Sequence, residues 1–383
     1  MRRAGLCLLS VLGWAFSCTT DHGILAKKPG SGGAGGTSAA GGTPGDAQAD
    51  EAGDGSFDAA DGFVEPTGSS VVTLLHAVAD APRIGFCFAR GSAATAELVD
   101  GPPQPSGGLQ YGGVWITSSL TGIDLKLDAL QPIVIAAPKL DLETKSCQVL
   151  IEEGQLEELP VLDAGVDGSD GSDDAGGVDA AADAAAQQPP PVRARALPVL
   201  PPTTLDSGYS TLFAVAGCLG GPTFDDSLAT LVCGTGYTPT TPTVTPVLVR
   251  MSRVTKADVV GIQVVNARAV SEAVTVVTSG PDGTSLPSLT VAYDVQPGQI
   301  APKPPYLGVS AAVLGFPGEP TLELSAGGNV ALEVSWAHAL APTGVTKVEN
   351  GRNYSVVVLG PQLNVSVVKW WNPPSAVVVR SDP

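Results

Sequence analysis

Val72-Thr73-Leu74-Leu75-His76-Ala77 decides the fold, because its pattern returns as Ile262-Gln263-Val264-Val265-Asn266-Ala267. The β-branched and aliphatic residues suit a pleated sheet, and strand alternation puts Val72, Leu74 and His76 on one face. Ile262, Val264 and Asn266 share the matching face of the second stretch. Thr73 and Gln263 point the other way and are expected on a wetter side, as in the half-buried strands of an antiparallel sandwich.

Outward from these strands, the same constant offset matches Ile84 with Val274 and Phe86 with Val276. Tyr111-Gly112-Gly113-Val114 resembles Tyr306-Leu307-Gly308-Val309. Leu205-Asp206-Ser207-Gly208-Tyr209 resembles Val348-Glu349-Asn350-Gly351-Arg352, and each is followed by a strand ending at Gly217 or Gly360. Three blocks recur in one order with unequal spacing, which is the signature of an internal repeat whose copies differ by loop insertions. Valine-rich runs separated by clusters drawn from 47 Gly and 33 Pro make the chain all-β.

Val71 to Phe88, with His76-Ala77 and Asp80-Ala81-Pro82, resembles the opening of the bacterial family called domain of unknown function 4397. The Tyr-Gly strand and the Leu-Asp-x-Gly-Tyr segment are similar to later parts of that pattern. The second copy has Val270-Ser271-Glu272 where the Asp-Ala-Pro turn would stand. The resemblance covers about half of the folded residues. It implies seven-stranded immunoglobulin-like sandwiches in surface proteins, with no catalytic residues to carry over. The expected fold class is thus all-β, two immunoglobulin-like antiparallel β-sandwich domains behind a disordered N-terminal tether.

The first eighteen residues carry an address. Arg2 and Arg3 precede an apolar run, Ala4 to Phe16, that is too short to span a bilayer as a helix. Ala15-Phe16-Ser17 then leads into Cys18, which resembles a bacterial lipoprotein leader with Cys18 as the lipid-bearing residue. A plain secretory cut at the same bond is the alternative, and either route exports the chain. The expected segments are a signal peptide over 1–17 and a Gly/Ala/Asp-rich disordered tether over 18–67. A first sandwich over 68–256, with a disordered insert at 163–191, and a second over 257–383 complete the chain. The tether lacks large apolar side chains and cannot bury a core. The insert has Asp-Ala-Gly repeats and no periodicity. Both segments resemble acidic linkers of myxobacterial lipoproteins in composition.

Formal charge is −18, with eight acids in 21–65 and seven in 163–183, so the acidity is concentrated in low-complexity sequence. Nucleic acid is excluded as a partner, since phosphates need a basic face. Among six cysteines, Cys7 leaves with the leader and Cys18 carries lipid, leaving Cys87, Cys147, Cys218 and Cys233 for disulfides in an oxidising compartment. Four cysteines allow three connectivities. Cys87–Cys147 with Cys218–Cys233 is favoured, because the second pair closes a Gly/Pro-rich excursion.

Chemistry is sparse. His22 falls in the tether, and His76 is expected as a structural histidine satisfied by the following turn, since its counterpart is Asn266, which cannot act as a base. His338 is expected to alternate with Trp336 on one strand face. Ser366-Val367-Val368-Lys369 matches a Ser-x-x-Lys pattern, but that chemistry needs a helical turn. The run Asp167–Asp174 lacks the spacing and the closing Glu of a calcium loop, so linker is the better reading. Trp336, Trp370 and Trp371 are the candidate ligand contacts, against the more ordinary readings of a sheet surface for Trp336 and of core or edge packing for the tryptophan pair. No catalytic residue, metal site or cofactor is expected. The expected role is a lipid-anchored binding or structural module at the outer membrane or cell surface, held to the membrane through its N-terminal lipid and meeting an envelope protein or glycan. An extracellular hydrolase or carbohydrate-active enzyme with a non-standard site is the alternative.

Overall fold

The computed structural model describes residues 70–91, 96–154, 192–205, 210–221, 227–280, 288–303, 306–363 and 372–381. The leader with Cys18, the tether, the insert at 163–191 and Trp370-Trp371 lie outside these residues.

The first copy contains β1 (Val71–Val78), β2 (Arg83–Arg90), β3 (Glu97–Leu98), β4 (Gln104–Gln110), β5 (Val114–Thr117) and β6 (Leu130–Ala136). Two short helices follow, α1 (Lys139–Thr144) and α2 (Cys147–Glu153). Then come β7 (Arg193–Ala196), β8 (Ser210–Gly217), α3 (Ala229–Cys233) and β9 (Thr245–Met251). The second copy contains β10 (Val260–Asn266), β11 (Val274–Ser279), β12 (Leu289–Val295), β13 (Ile300–Ala301), β14 (Leu307–Val309) and β15 (Thr321–Ala326). It ends with β16 (Asn329–Ser335), α4 (Trp336–Leu340), β17 (Arg352–Leu359) and β18 (Ser375–Arg380).

Each copy is an immunoglobulin-like sandwich of two sheets. In the first, β5-β1-β8-β9 faces β3-β2-β6-β7, with β4 also on β2. In the second, β13-β10-β17-β18, with β14 also on β10, faces β12-β11-β15-β16. Antiparallel neighbours prevail, with one parallel pair at the centre of each inner sheet. The parallel register is the same in both copies: Leu74 and His76 lie opposite Phe213 and Val215, and Val264 and Asn266 lie opposite Val356 and Val358. Topology and register together make the repeat structural as well as sequential.

The turn before the edge strand corrects one detail of the repeat. Gly112 N–H donates to the His76 carbonyl at 2.9 Å, and Gly298 N–H donates to the Asn266 carbonyl at 2.8 Å. The counterpart of Gln110-Tyr111-Gly112-Gly113 is therefore Gln296-Pro297-Gly298-Gln299, and the likeness to Tyr306-Leu307-Gly308 does not mark it. Both turns need a residue at positive φ, +70° at Gly112 and +76° at Gly298, where glycine carries no Cβ penalty.

The expected wet face is also corrected. Thr73 and Gln263 are buried, because the two inner sheets stack on each other. Leu75, Ala77, Leu212, Ala214, Val247 and Val249 pack there against Val265, Ala267, Val357, Leu359, Val377 and Val379. A strand covered on both sides reads as a nearly continuous apolar run, which is what Val71–Val78 is. The interface is self-complementary: Leu75 answers Val265, Ala77 answers Ala267, and Val114 answers Ile300. The result is four stacked sheets, with separate cores between the outer pairs of layers.

Both favoured disulfides are present. Cys87–Cys147 ties β2 to α2, with Cα atoms 5.8 Å apart. This fixes the α1–α2 hairpin over Ile133 and Ile135 on the outer face of the first sandwich. Cys218–Cys233 pins α3 beside the end of β8.

Candidate binding cleft

The buried polar groups fall at turns. His76 is fully buried, accepts from the Val78 N–H at Nδ1 (3.1 Å) and lies 2.9 Å from the Ala81 carbonyl through Nε2. These contacts require the neutral tautomer with hydrogen on Nε2, and burial lowers its pKa to about 3. The histidine is satisfied by the following turn, as its position in the strand suggests. Asp80, in the same turn, accepts from Arg193 Nη1 at 2.7 Å and from the Leu219 and Gly220 N–H groups at 2.9 and 2.8 Å. Arg193 Nη2 donates to the Asp80 carbonyl, so the ion pair closes the corner from both ends.

The second copy builds its corner differently. Arg268 donates to the Asn266 side chain, the Glu272 carboxylate and the Glu272 carbonyl at 3.0, 2.6 and 2.7 Å. Burial lowers the Arg268 pKa, and the Glu272 contacts oppose that. Asn372, next to the tryptophan pair, clasps the first copy: its Nδ2 donates to the Val78 and Ala81 carbonyls at 2.9 and 2.7 Å. Tyr111 Oη donates in turn to the Pro373 carbonyl at 2.9 Å. Asp80 was visible in the sequence only as part of a turn motif. Asn372 had no signal apart from the polar residue between Trp371 and Pro373.

The concave site lies at the end of the second sandwich. A cleft of about 540 Å³ is lined by Phe316, Pro320, Ser335, Leu340 and Val348 over a Trp336 floor. Trp336 is fully buried, its indole N–H donates to Thr278 Oγ1 at 3.0 Å, and its ring meets Phe316 edge-on at 5.6 Å. It therefore packs the core and at the same time forms the floor of the cleft. Ser335 accepts from the His338 N–H at 3.1 Å and caps α4. His338 thus lies exposed on a helix, and the expected strand alternation with Trp336 does not occur.

The rim carries Glu319, Lys347 and Glu349. Lys347 Nζ and Glu349 Oε1 are 2.5 Å apart. Their hydrogen bond lowers the Glu349 pKa and raises that of Lys347. Tyr354 Oη accepts from the Glu349 N–H at 3.2 Å, which holds this side of the mouth to β17. A second, more polar hollow of about 490 Å³ lies where Arg83, Gln110 and Lys139 meet Asn372. Among the described residues, no group of three or more His, Cys, Asp and Glu side chains is placed to hold a metal ion. Likewise, no helix among them is long and apolar enough to cross a membrane.

No family model matches the chain, and no curated protein matches it. The chemistry of the cleft follows from its lining. An apolar floor with a few polar rim groups suits reversible capture of an apolar side chain or ring, in a volume typical of ligand pockets.

Proposed function

We propose that this chain is an exported envelope lipoprotein, anchored through Cys18 at the outer membrane or cell surface, whose paired sandwiches act as a binding or structural module. One observation carries the reading. His76, Asp80, Arg193 and Arg268, the buried ionisable groups described above, each hold a turn, whereas the cleft between Phe316 and Leu340 is apolar. The two disulfides support an oxidising compartment. The resemblance of Val71–Phe88 to domain of unknown function 4397 accords with a surface role.

The test has two arms. In a lipoprotein-processing host the full chain should take up labelled palmitate and Cys18→Ala should not; an unlabelled parent chain would remove the anchor. A photo-cross-linking residue in place of Thr346, on the cleft rim, should give a discrete adduct in envelope preparations. The same residue at Leu127, exposed on the other sandwich, should not. A hydrolase activity lost in both His76→Ala and His338→Ala, with no adduct at Thr346, would replace the binding reading with an enzymatic one.

A further inference from the structure

The open edge of β16 leads into the cleft. We propose that this edge receives an extended peptide segment of another protein, carrying a Lys or Arg opposite Glu333 and an apolar side chain four residues away, on the same face, that enters the cleft. The inference rests on the binding-module reading and names its partner class.

The other sheet edges are blunted: β3 and β13 have two residues, β14 has three, and β4 contains Pro105. β7 has four residues and β5 has four. β9 contains Pro246 and the charged Arg250. β12 departs twice from regular register with β11 and holds Asp294 at φ +45°. α4 packs beside β18. Short strands, prolines, charges and bulges are the usual ways of discouraging strand addition. β16 has seven residues with no proline, lysine or arginine, and Val330 is 54% exposed. Its one register shift lies at the hairpin end, which leaves Leu332–Ser335 regular. Among the described residues, no strand pairs with its outer side.

Charge selects the occupant. Glu323 and Glu333 stand directly opposite each other on β15 and β16, an arrangement that like charges disfavour. Ser279 donates to Glu323, while Glu333 has no hydrogen-bond or ion-pair partner among the described residues. A strand added to β16 places a side chain across from Glu333, where a cation relieves that repulsion. A second copy of this chain offers Glu333 no lysine or arginine from β16, and pairing centred on Glu333 would bring two carboxylates together, so a basic foreign segment is favoured. Ser335, the last residue of β16, lines the cleft, as does Pro320 just before β15. At about 3.3 Å per residue, a segment in register with Glu333 reaches the cleft within a few residues. Main-chain bonds then supply affinity and the cleft supplies selection.

The probe is a fluorescein-labelled nonapeptide of alternating Thr and Val, with a central Lys and Leu at both ends, titrated into the full chain by anisotropy. Replacing its Lys with Glu should weaken binding roughly fivefold to tenfold. The preference should reverse in Glu333→Lys, and replacing both Leu residues with Ser should weaken binding in either protein. N-methylation of alternate residues should abolish binding for one set of amides and spare it for the other, because only one edge of the peptide faces β16. Equal affinity for the Lys and Glu peptides in the parent protein would overturn the proposal, as would indifference to which edge is methylated. An envelope adduct at Thr346 with no peptide selectivity would sink the strand-addition idea alone and leave the binding module standing.

Discussion

His76 and Asn266 hold the same place in two copies of one parallel strand pair, opposite Val215 and Val358. Each uses its polar side chain to fasten the chain after the strand, His76 at the Ala81 carbonyl and Asn266 at the Glu272 carbonyl. The shared task is hydrogen bonding at a corner, which either residue type performs.

That equivalence predicts a pH effect. The His76 imidazole has a folded pKa of about 3 against an ordinary 6.5. Between those values the unfolded chain binds the extra proton, so the contribution is complete above 6.5 and declines as pH falls toward 3. The slope approaches about 1.4 kcal/mol per pH unit. His76→Asn should flatten the stability curve by that amount between about pH 6 and 5, as read from urea midpoints. Parallel curves for parent and variant would refute it.

Asp80→Ala leaves the Arg193 guanidinium buried without its carboxylate and should destabilise the protein by about 3–5 kcal/mol. Adding Arg193→Met should recover only part of this, since the Leu219 and Gly220 amides still lose their acceptor. Denaturant melts of the two single variants and the double variant measure the coupling. Additive losses would contradict a shared corner.

Leu75→Lys tests the stacked sheets. An outward-facing strand position would tolerate lysine within about 0.5 kcal/mol. Leu75 is instead sealed between the inner sheets, so the variant should lose several kcal/mol or fail to fold. Leu127→Lys, at a position 76% exposed, is the control and should leave the melting temperature unchanged. Similar melts for both lysine variants would mean that the sheets do not stack in solution.

A cut within residues 163–191 should leave one particle under native conditions, because β1 and β8, from opposite sides of the cut, share the central pairing. Neither disulfide spans that segment, so a denaturing gel without reductant should resolve two pieces. The bonds themselves close loops worth about 4 kcal/mol for Cys87–Cys147 and about 3 kcal/mol for Cys218–Cys233 on the chain-entropy model. Cys87→Ser and Cys218→Ser should therefore lower stability in that order, as judged by thermal melts. Pieces that stay joined until reduction would require a different pairing.

Much of this architecture was legible. Strand type, the repeat, both disulfides and the turn role of His76 follow from local patterns that tertiary structure leaves intact. The burial of Thr73 and Gln263 was hidden, because one polar residue in a strand looks the same facing solvent or facing a second sheet. The Tyr111 turn was mismatched because its requirement is a left-handed glycine, met equally by Tyr-Gly-Gly and Pro-Gly-Gln. His338 was misplaced for a related reason. Ser335 caps a helix that interrupts the alternation, so His338 leaves the buried face that Trp336 shares with Val334. The cleft assembles from three short segments between Ala311 and Glu349, with no shared periodicity to betray it.

The parallel pairing of β1 with β8 also governs how the protein meets tension. The chain enters β1 at Val71 and leaves β8 at Gly217, and these residues lie at opposite ends of eight matched positions. Traction applied through those two ends would load the slanted bonds between the strands in shear, all together, instead of unzipping them one by one. A molecule pulled between those two points would resist first at the strand pair that its two copies both preserve.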